Sequence, residues 1–234
     1  MTPISARAGT APAFSKGLPE KPQSMLAPFS RLYPILDASL ESLETVTLGV
    51  GALARAGCRL VQLRAKDLSG EEFHRFALAA REASRESGIR LVINDRVDVA
   101  LLVGADGVHL GQDDVSPEGA RRILGDSAII GLSTHGVEEA RRAATAPVDY
   151  LAIGPIFGTS TKASGRSTLG VEGARAVRAV VEKPLVAIGG ITLERAPALL
   201  DAGIDGLAII SALKRGGDLE SVARAWMNLR EETE

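Results

Sequence analysis

Seven times along the chain a short apolar run ends in a small or polar cluster. The endings are Gln62-Leu63-Arg64-Ala65-Lys66, Asn94-Asp95-Arg96, His109 to Asp114, Ser133-Thr134-His135, Gly154 to Lys162, Gly189-Gly190 and Ser211. Nearly continuous apolar runs are the pattern of strands covered on both faces. With a first run at Leu32 to Leu36, closing at Asp37, they predict eight strands. The other seven are Leu60 to Leu63, Arg90 to Ile93, Gly107 to Leu110, Ala128 to Leu132, Tyr150 to Ile153, Pro184 to Ile188 and Gly206 to Ile210.

The intervals read as helices. The first spans about Leu40 to Ala56, with Leu48, Val50, Leu53 and Ala54 apolar and Gly57 as its C-cap. Ser69 and Glu72 form a capping-box pattern ahead of a helix that runs to Ser87, where Gly88 ends it. A short helix covers Val97 to Leu102, and Pro117 marks another helix start. Val137 to Ala144, Val171 to Val181, Thr192 to Ala202 and a last helix through Leu229 complete the set. Eight strand–helix units predict an α/β fold, a (β/α)8 TIM barrel in a single domain. An open doubly wound sheet is the competing architecture, but no Gly-x-Gly-x-x-Gly follows the first strand.

Residues 1–28 break the pattern. They are rich in Ala, Pro, Ser and Gly, with no periodic apolar positions and no signal-peptide core. A disordered tail is expected there, with residues 29–234 forming the barrel. Met25 lies just before the first strand and is a candidate translation start.

The chain has 234 residues and a formal net charge of -2, with no long basic stripe, which argues against bulk nucleic-acid binding. No apolar stretch reaches the roughly 18 residues of a membrane span, and a cytoplasmic protein is expected. Small-molecule partners are therefore expected, and a homo-oligomer is compatible with the sequence. The single cysteine, Cys58, excludes an intrachain disulfide and a multi-cysteine metal site, and reads as a packed residue.

In a parallel barrel every strand delivers its C-terminal residues to one rim, so these clusters converge on one mouth. In the second strand Gln62, Arg64 and Lys66 alternate with Val61, Leu63 and Ala65. The apolar set must meet the helices, so the polar set points inward. The strand holds no acidic partner for its two cations, which favours an anionic ligand; a buried ion-pair network is the alternative. Asn94-Asp95 closes the third strand and Asp113-Asp114 follows the fourth. Carboxylates beside a phosphate site suit Mg2+, although Asp113 or Asp114 could instead cap the next helix.

Gly189-Gly190 and Ile210-Ser211, after strands seven and eight, occupy the usual phosphate corner of such barrels. Backbone N–H groups at Gly190 can approach a phosphate because no Cβ intervenes. The stretch from Gly154 through Thr159, Thr161 and Lys162 to Thr168 is long for a βα loop. Its hydroxyls and cations suit a lid over phosphates, and a solvated loop is the alternative. Of the three histidines, His74 is expected to face solvent, His109 to be a satisfied core residue, and His135 to hydrogen-bond within the site. No serine has a recognisable base and orienter, so covalent hydrolase chemistry is unsupported.

Taken together, these motifs resemble the thiamine-phosphate synthase family from about Leu32 to the last helix. The resemblance rests on Gln-x-Arg-x-Lys, Asn-Asp, His-Leu-Gly-Gln-Asp-Asp, Gly-Pro-Ile-Phe-x-Thr-x-Thr-Lys and Ile-Gly-Gly-Ile-Thr, in that order. It implies a transferase of thiamine biosynthesis that joins a hydroxymethylpyrimidine diphosphate to a thiazole phosphate and releases pyrophosphate. It further implies that Gln62, Arg64, Lys66, Asn94, Ser133 and Lys162 hold the pyrimidine diphosphate. Asp95 and Asp114 would bind Mg2+, and Thr159, Thr161, Gly190, Ile210 and Ser211 the thiazole phosphate. Arg64, Lys66, Ser133 and Lys162 would serve catalysis. A dissociative substitution needs no protein nucleophile, in keeping with the absence of one. The thiazole tautomerase branch of the same family would share the thiazole-phosphate site and use His135, but tends to lack the diphosphate and metal residues. Another phosphate-binding barrel isomerase would explain Gly190 and Ser211 but not the carboxylates, and a non-catalytic barrel would need none of them.

Lys162→Ala is expected to lower turnover much more than thermal stability. Kinetics and thermal melting on the same preparation check this, and normal turnover with a large stability loss would count against the role.

Overall fold

The structure is a computed structural model and describes residues 30–158 and 167–229. The N-terminal tail, Thr159, Thr161 and Lys162 therefore lie outside the described residues. Eight parallel strands close into a barrel in chain order. They are β1 (Leu32–Asp37), β2 (Leu60–Arg64), β3 (Arg90–Asn94), β4 (Gly107–Leu110), β5 (Ile129–Thr134), β6 (Tyr150–Ile153), β7 (Leu185–Ile188) and β8 (Gly206–Ile209). β8 pairs back onto β1 through Leu32–Leu207 and Pro34–Ile209. Helices α1 (Leu43–Arg55), α2 (Gly70–Ser87), α3 (Val97–Val103), α4 (Pro117–Leu124), α5 (Val137–Ala143), α6 (Gly170–Arg178), α7 (Ala196–Asp201) and α8 (Leu219–Met227) follow the strands in turn.

The period-two alternation of the strands separates two cores. Val61, Leu63, Leu91, Ile93, Leu151 and their equivalents face outward and pack with the helices. Tyr33, Ile35, Leu60, Val92, Ile129, Tyr150, Ala152, Val186 and Ala208 fill the barrel itself. The inward direction expected of the Gln62 face is observed, because Gln62 and Arg64 line an interior cavity while their neighbours Val61 and Leu63 lie in the outer core.

Capping explains where the helices differ from the expected bounds. The Ser69–Glu72 box forms as expected, with each backbone N–H bonded to the other side chain at 3.2 and 3.1 Å. α1, in contrast, begins at Leu43 rather than Leu40. Ser42 accepts from the Thr45 N–H and caps it, and Ala38–Leu40 form a separate 3-10 turn capped by Asp37. α4 is capped by Ser116, which accepts from the Gly119 N–H at 3.2 Å. Neither Asp113 nor Asp114 is its cap. α7 is shorter than expected, starting at Ala196 with a proline in its first turn, and a 3-10 turn at Ser211–Lys214 follows β8. Cys58 is buried, and burial pushes its thiol up to about 12, as befits a packed residue. Among the described residues no helix is long and apolar enough to cross a membrane.

At the N-terminal end of the barrel, opposite the polar rim, one clamp recurs three times among the described residues. The residue just before an even-numbered strand is an aspartate. Its Oδ2 accepts from the N–H of a residue in the preceding strand and from an arginine of the helix before that strand. Asp106 accepts from Leu91 N at 2.8 Å and Arg81 Nη1 at 2.6 Å. Asp149 accepts from Ile130 N at 2.8 Å and Arg121 Nη2 at 2.9 Å. Asp205 accepts from Leu185 N at 2.8 Å and Arg178 Nη1 at 2.9 Å. Each clamp fixes strand, loop and helix through one charged group with several partners. Asp149→Ala would leave a mostly buried guanidinium and a strand N–H short of a partner. We expect a loss of about 3 kcal/mol, read in urea as a lower midpoint at an unchanged slope.

Candidate active site

Residues from all eight strands meet at one cavity at the C-terminal end of the barrel. Tyr33, Gln62, Arg64, Asn94, His109, Ser133, Gly190, Ile210 and Ser211 are among its lining residues. Gln62, Arg64, Asn94 and Ser133 were expected on one side and Gly190, Ile210 and Ser211 on the other. All seven reach the same cavity.

Arg64 does not face an empty rim. Asp37 and Arg64 are direct partners in the β1–β2 pairing, and the guanidinium Nη1 donates to the buried Asp37 carboxylate. Lys66, exposed just beyond β2, pairs with Asp95 beyond β3. The ion pairs of the alternative reading are thus present, with the acidic partners that the strand itself lacks standing on or just beyond the neighbouring strands. Sequence alternation within one strand cannot reveal them.

Asp95 is in the left-handed region at φ 63°, the only described non-glycine residue there. Such a conformation in a non-glycine residue is held by its surroundings and often marks a functional site. Here the Asp95 N–H donates to the His109 carbonyl at 2.8 Å and the Arg96 N–H to the Asn94 carbonyl at 2.7 Å, which hold the turn. The turn brings the Asp95 carboxylate against that of Asp114, whose own Oδ2 accepts from Gly111 N at 2.7 Å. Burial, first, and then the Asp95 carboxylate raise the Asp114 carboxyl above its usual range, despite the Gly111 N–H and the nearby Lys66. Lys66, Asp95 and Asp114 form a cluster at the mouth, beside the cavity-lining Asn94.

The corner at Gly189 and Gly190 is shaped by close approach. Gly189 and Gly190 have φ of 103° and 61°, and a Cβ on Gly190 would lie 2.4 Å from the Gly158 carbonyl oxygen. No other residue type fits there. The Phe157 N–H donates to the Gly189 carbonyl at 3.0 Å, which holds the start of the long loop against the end of β7. Arg195, unremarkable in sequence, lies over the Phe157 ring at 4.8 Å and donates to the Gly190 carbonyl at 3.3 Å, placing a cation beside this corner.

The histidines divide. His74 is half-buried on α2 rather than fully solvated. The His135 backbone N–H and Nδ1 both contact Glu139 Oε2 of α5, at 2.7 and 3.1 Å, while the residue lines the cavity. His109 is buried and satisfied, as expected, but its partners matter. Nδ1 meets the Tyr150 hydroxyl and Nε2 the Ser133 hydroxyl, each at 2.9 Å. Tyr33 and Tyr150 escaped the sequence reading altogether. The signal was indirect: Gly131 is the β5 partner of Tyr150, and a Cβ there would lie 2.1 Å from the Tyr150 ring.

Fold and rim define a (β/α)8 barrel with a polar cavity at the C-terminal mouth. Comparison with known proteins narrows the class. The thiamine monophosphate synthase family profile matches residues 32–213. The thiamine-phosphate synthase of Agrobacterium fabrum is 45% identical over 196 residues, covering 82% of this chain and 89% of that protein. That of Chloroflexus aurantiacus is 42% identical over 194 residues, covering 83% and 89%. The structure of thiamine phosphate pyrophosphorylase from Pyrococcus furiosus superposes with a TM-score of 0.74 at 32% identity, covering 85% of this chain and 95% of that one. The chain belongs to the thiamine monophosphate synthase family, a family of transferases in thiamine biosynthesis.

The raised Asp114 carboxyl has a stability consequence. The folded state favours the protonated form, so this stabilisation is present at pH below the ordinary carboxylate value of about 4 and is lost as pH rises through the raised value. In chelator-treated protein Asp114→Asn is therefore expected to flatten the fall in melting temperature as pH rises above about 4. An unchanged pH profile would reject the carboxyl pairing.

Proposed function

We propose that the protein joins 4-amino-2-methyl-5-hydroxymethylpyrimidine diphosphate to a thiazole phosphate, giving thiamine monophosphate and pyrophosphate. What supports this is one cavity, in a chain of this family, lined by Gln62, Arg64, Asn94 and Ser133 of one expected set and by Gly190, Ile210 and Ser211 of the other. Gln62, Arg64, Lys66, Asn94, Ser133 and Lys162 hold the pyrimidine diphosphate. Thr159, Thr161, Gly190, Ile210 and Ser211 hold the thiazole phosphate.

Asp95 and Asp114 hold Mg2+ in this proposal. Among the described residues of the mouth, Asp37, Asp95 and Asp114 face only Arg64 and Lys66, three carboxyl groups against two cations. Such a cluster would not by itself attract a diphosphate. Two adjacent carboxyl oxygens fit a hard divalent cation that completes its shell with phosphate oxygens and water. Held there, Mg2+ would supply neutralisation of charge for the departing pyrophosphate.

The chain's own residues do the remaining work. Asp37 fixes the Arg64 guanidinium, so its other donors are preorganised for diphosphate oxygens. Lys66 and Lys162 add charge where the pyrophosphate leaves. The apolar walls, Ile35, Ala152, Ile188 and Ala208, exclude water from the pyrimidinylmethyl cation left behind. The thiazole phosphate, anchored at Gly190 and Ser211, then presents its nitrogen to that carbon. No protein nucleophile is required.

Incubation with both substrates and Mg2+ should release pyrophosphate in step with thiamine monophosphate. No release by correctly folded protein would reject the assignment. Asp95→Ala is expected to lower Mg2+-dependent turnover at least about 100-fold, and an unchanged Mg2+ titration would count against its role as a ligand.

A further inference from the structure

Beneath the cavity an unbroken hydrogen-bond chain crosses the barrel from β2 to β5. Gln62 Nε2 donates to the Tyr33 hydroxyl at 2.8 Å. The Tyr33 and Tyr150 hydroxyls are 2.8 Å apart. The Tyr150 hydroxyl is 2.9 Å from His109 Nδ1, and His109 Nε2 is 2.9 Å from Ser133 Oγ. The middle members are sealed: Tyr33 is 1% exposed, Tyr150 0% and His109 7%. Their rings are fixed as well. The His109 ring stacks on Tyr150 at 5.4 Å, and Tyr33 meets Tyr150 edge-on at 5.8 Å. Tyr33, Gln62, His109 and Ser133 all line the cavity, with Gln62 and Ser133 as the two ends of the chain.

Each phenol has one proton, and burial keeps both phenols protonated. A hydroxyl that accepts becomes a stronger donor, so such chains order in one direction. Gln62 starts the order because its Nε2 can only donate. The Tyr33 proton then goes to Tyr150, and the Tyr150 proton to His109 Nδ1. His109 carries its own proton on Nε2 and gives it to Ser133 Oγ. The Ser133 proton is thereby left for the cavity. At the other end, with Nε2 engaged, Gln62 Oε1 makes no hydrogen bond among the described residues and is the ligand-facing acceptor.

We propose that Tyr33, Tyr150 and His109 are positioning residues whose ordered hydrogen bonds make Gln62 an acceptor and Ser133 a donor toward the cavity. That polarity selects a ring presenting an amine to β2 and an unprotonated ring nitrogen to β5. A ring bearing a carbonyl in place of the amine would meet Gln62 Oε1 acceptor to acceptor. The proposal rests on the pyrimidine diphosphate occupying this cavity, as argued above, and adds how its amino group is chosen.

Tyr150→Phe keeps the ring stack and deletes the hydroxyl that joins the two halves, and Tyr33→Phe releases Gln62. Each is expected to raise KM for the aminopyrimidine diphosphate about threefold to tenfold, with KM for the thiazole phosphate within about twofold of wild type. Each should also reduce the preference for the amino over the 4-oxo pyrimidine diphosphate at least tenfold, which a loss of stability alone would not do. The double variant should be little worse than either single one, because both break one chain. A second readout needs no turnover. 15N spectra of histidine-labelled wild-type protein, assigned by difference against His109→Gln, should show His109 as the Nε2–H tautomer. An Nδ1–H tautomer, or unchanged amino/oxo preference in both tyrosine variants, overturns the proposal. An inactive wild-type protein overturns the substrate assignment, and this proposal with it.

Discussion

A closed eight-stranded barrel has a small interior, and every polar group brought into it must find a hydrogen bond there. That constraint organises this protein. Lower in the barrel the requirement is met by having almost no polar side chains, only Leu60, Val92, Ile129, Val186 and their neighbours. Higher up, five polar side chains enter together and satisfy one another in sequence from Gln62 to Ser133. Gly131 makes room for them, because a Cβ there would lie 2.1 Å from the Tyr150 ring and 2.5 Å from His109 Nδ1. The cavity above is therefore a consequence of how the layer below it is filled.

The same economy appears at the mouth. Arg64 and Lys66 are each neutralised by a carboxylate from an adjoining strand, so the folded protein does not carry two bare cations in a half-buried rim. Charge for a ligand is drawn from donors that remain on an already oriented guanidinium, and from a carboxyl pair that suits a cation. A site built of internal pairs is ordered before anything binds, which lowers the cost of ordering at the moment of binding.

Much of this was legible in the chain and the remainder was not, for definable reasons. The alternation Gln62-Leu63-Arg64 is a property of one strand, so its inward face could be read directly. Asp37 and Asp95 act across strands, and their pairing depends on register, which only the closed barrel supplies. Tyr33 and Tyr150 look like ordinary strand residues until Gly131 is seen opposite Tyr150. One helix bound failed where a local cap competed with an apolar run, at Ser42, whereas the start expected at Pro117 is observed. Conversely, the two halves of the rim were readable because each motif sits at the end of a strand, where the fold leaves no choice of face.

The three aspartate clamps of the opposite end divide the barrel into two-strand modules. β3–β4, β5–β6 and β7–β8 are each stitched by a carboxylate with a strand N–H and an arginine as partners. The module of β1 and β2 has Arg59 at the equivalent place before β2. Around it α1 and α8 are joined by Arg55–Glu220 and by Arg224 on the Arg55 carbonyl. Those surface contacts are worth about 0–1 kcal/mol. The β1–β2 module thus lacks the aspartate clamp that the other three carry at this end of the barrel. Asp37 and Arg64, which orient one half of the active-site mouth, stand on the two strands of the unstitched module.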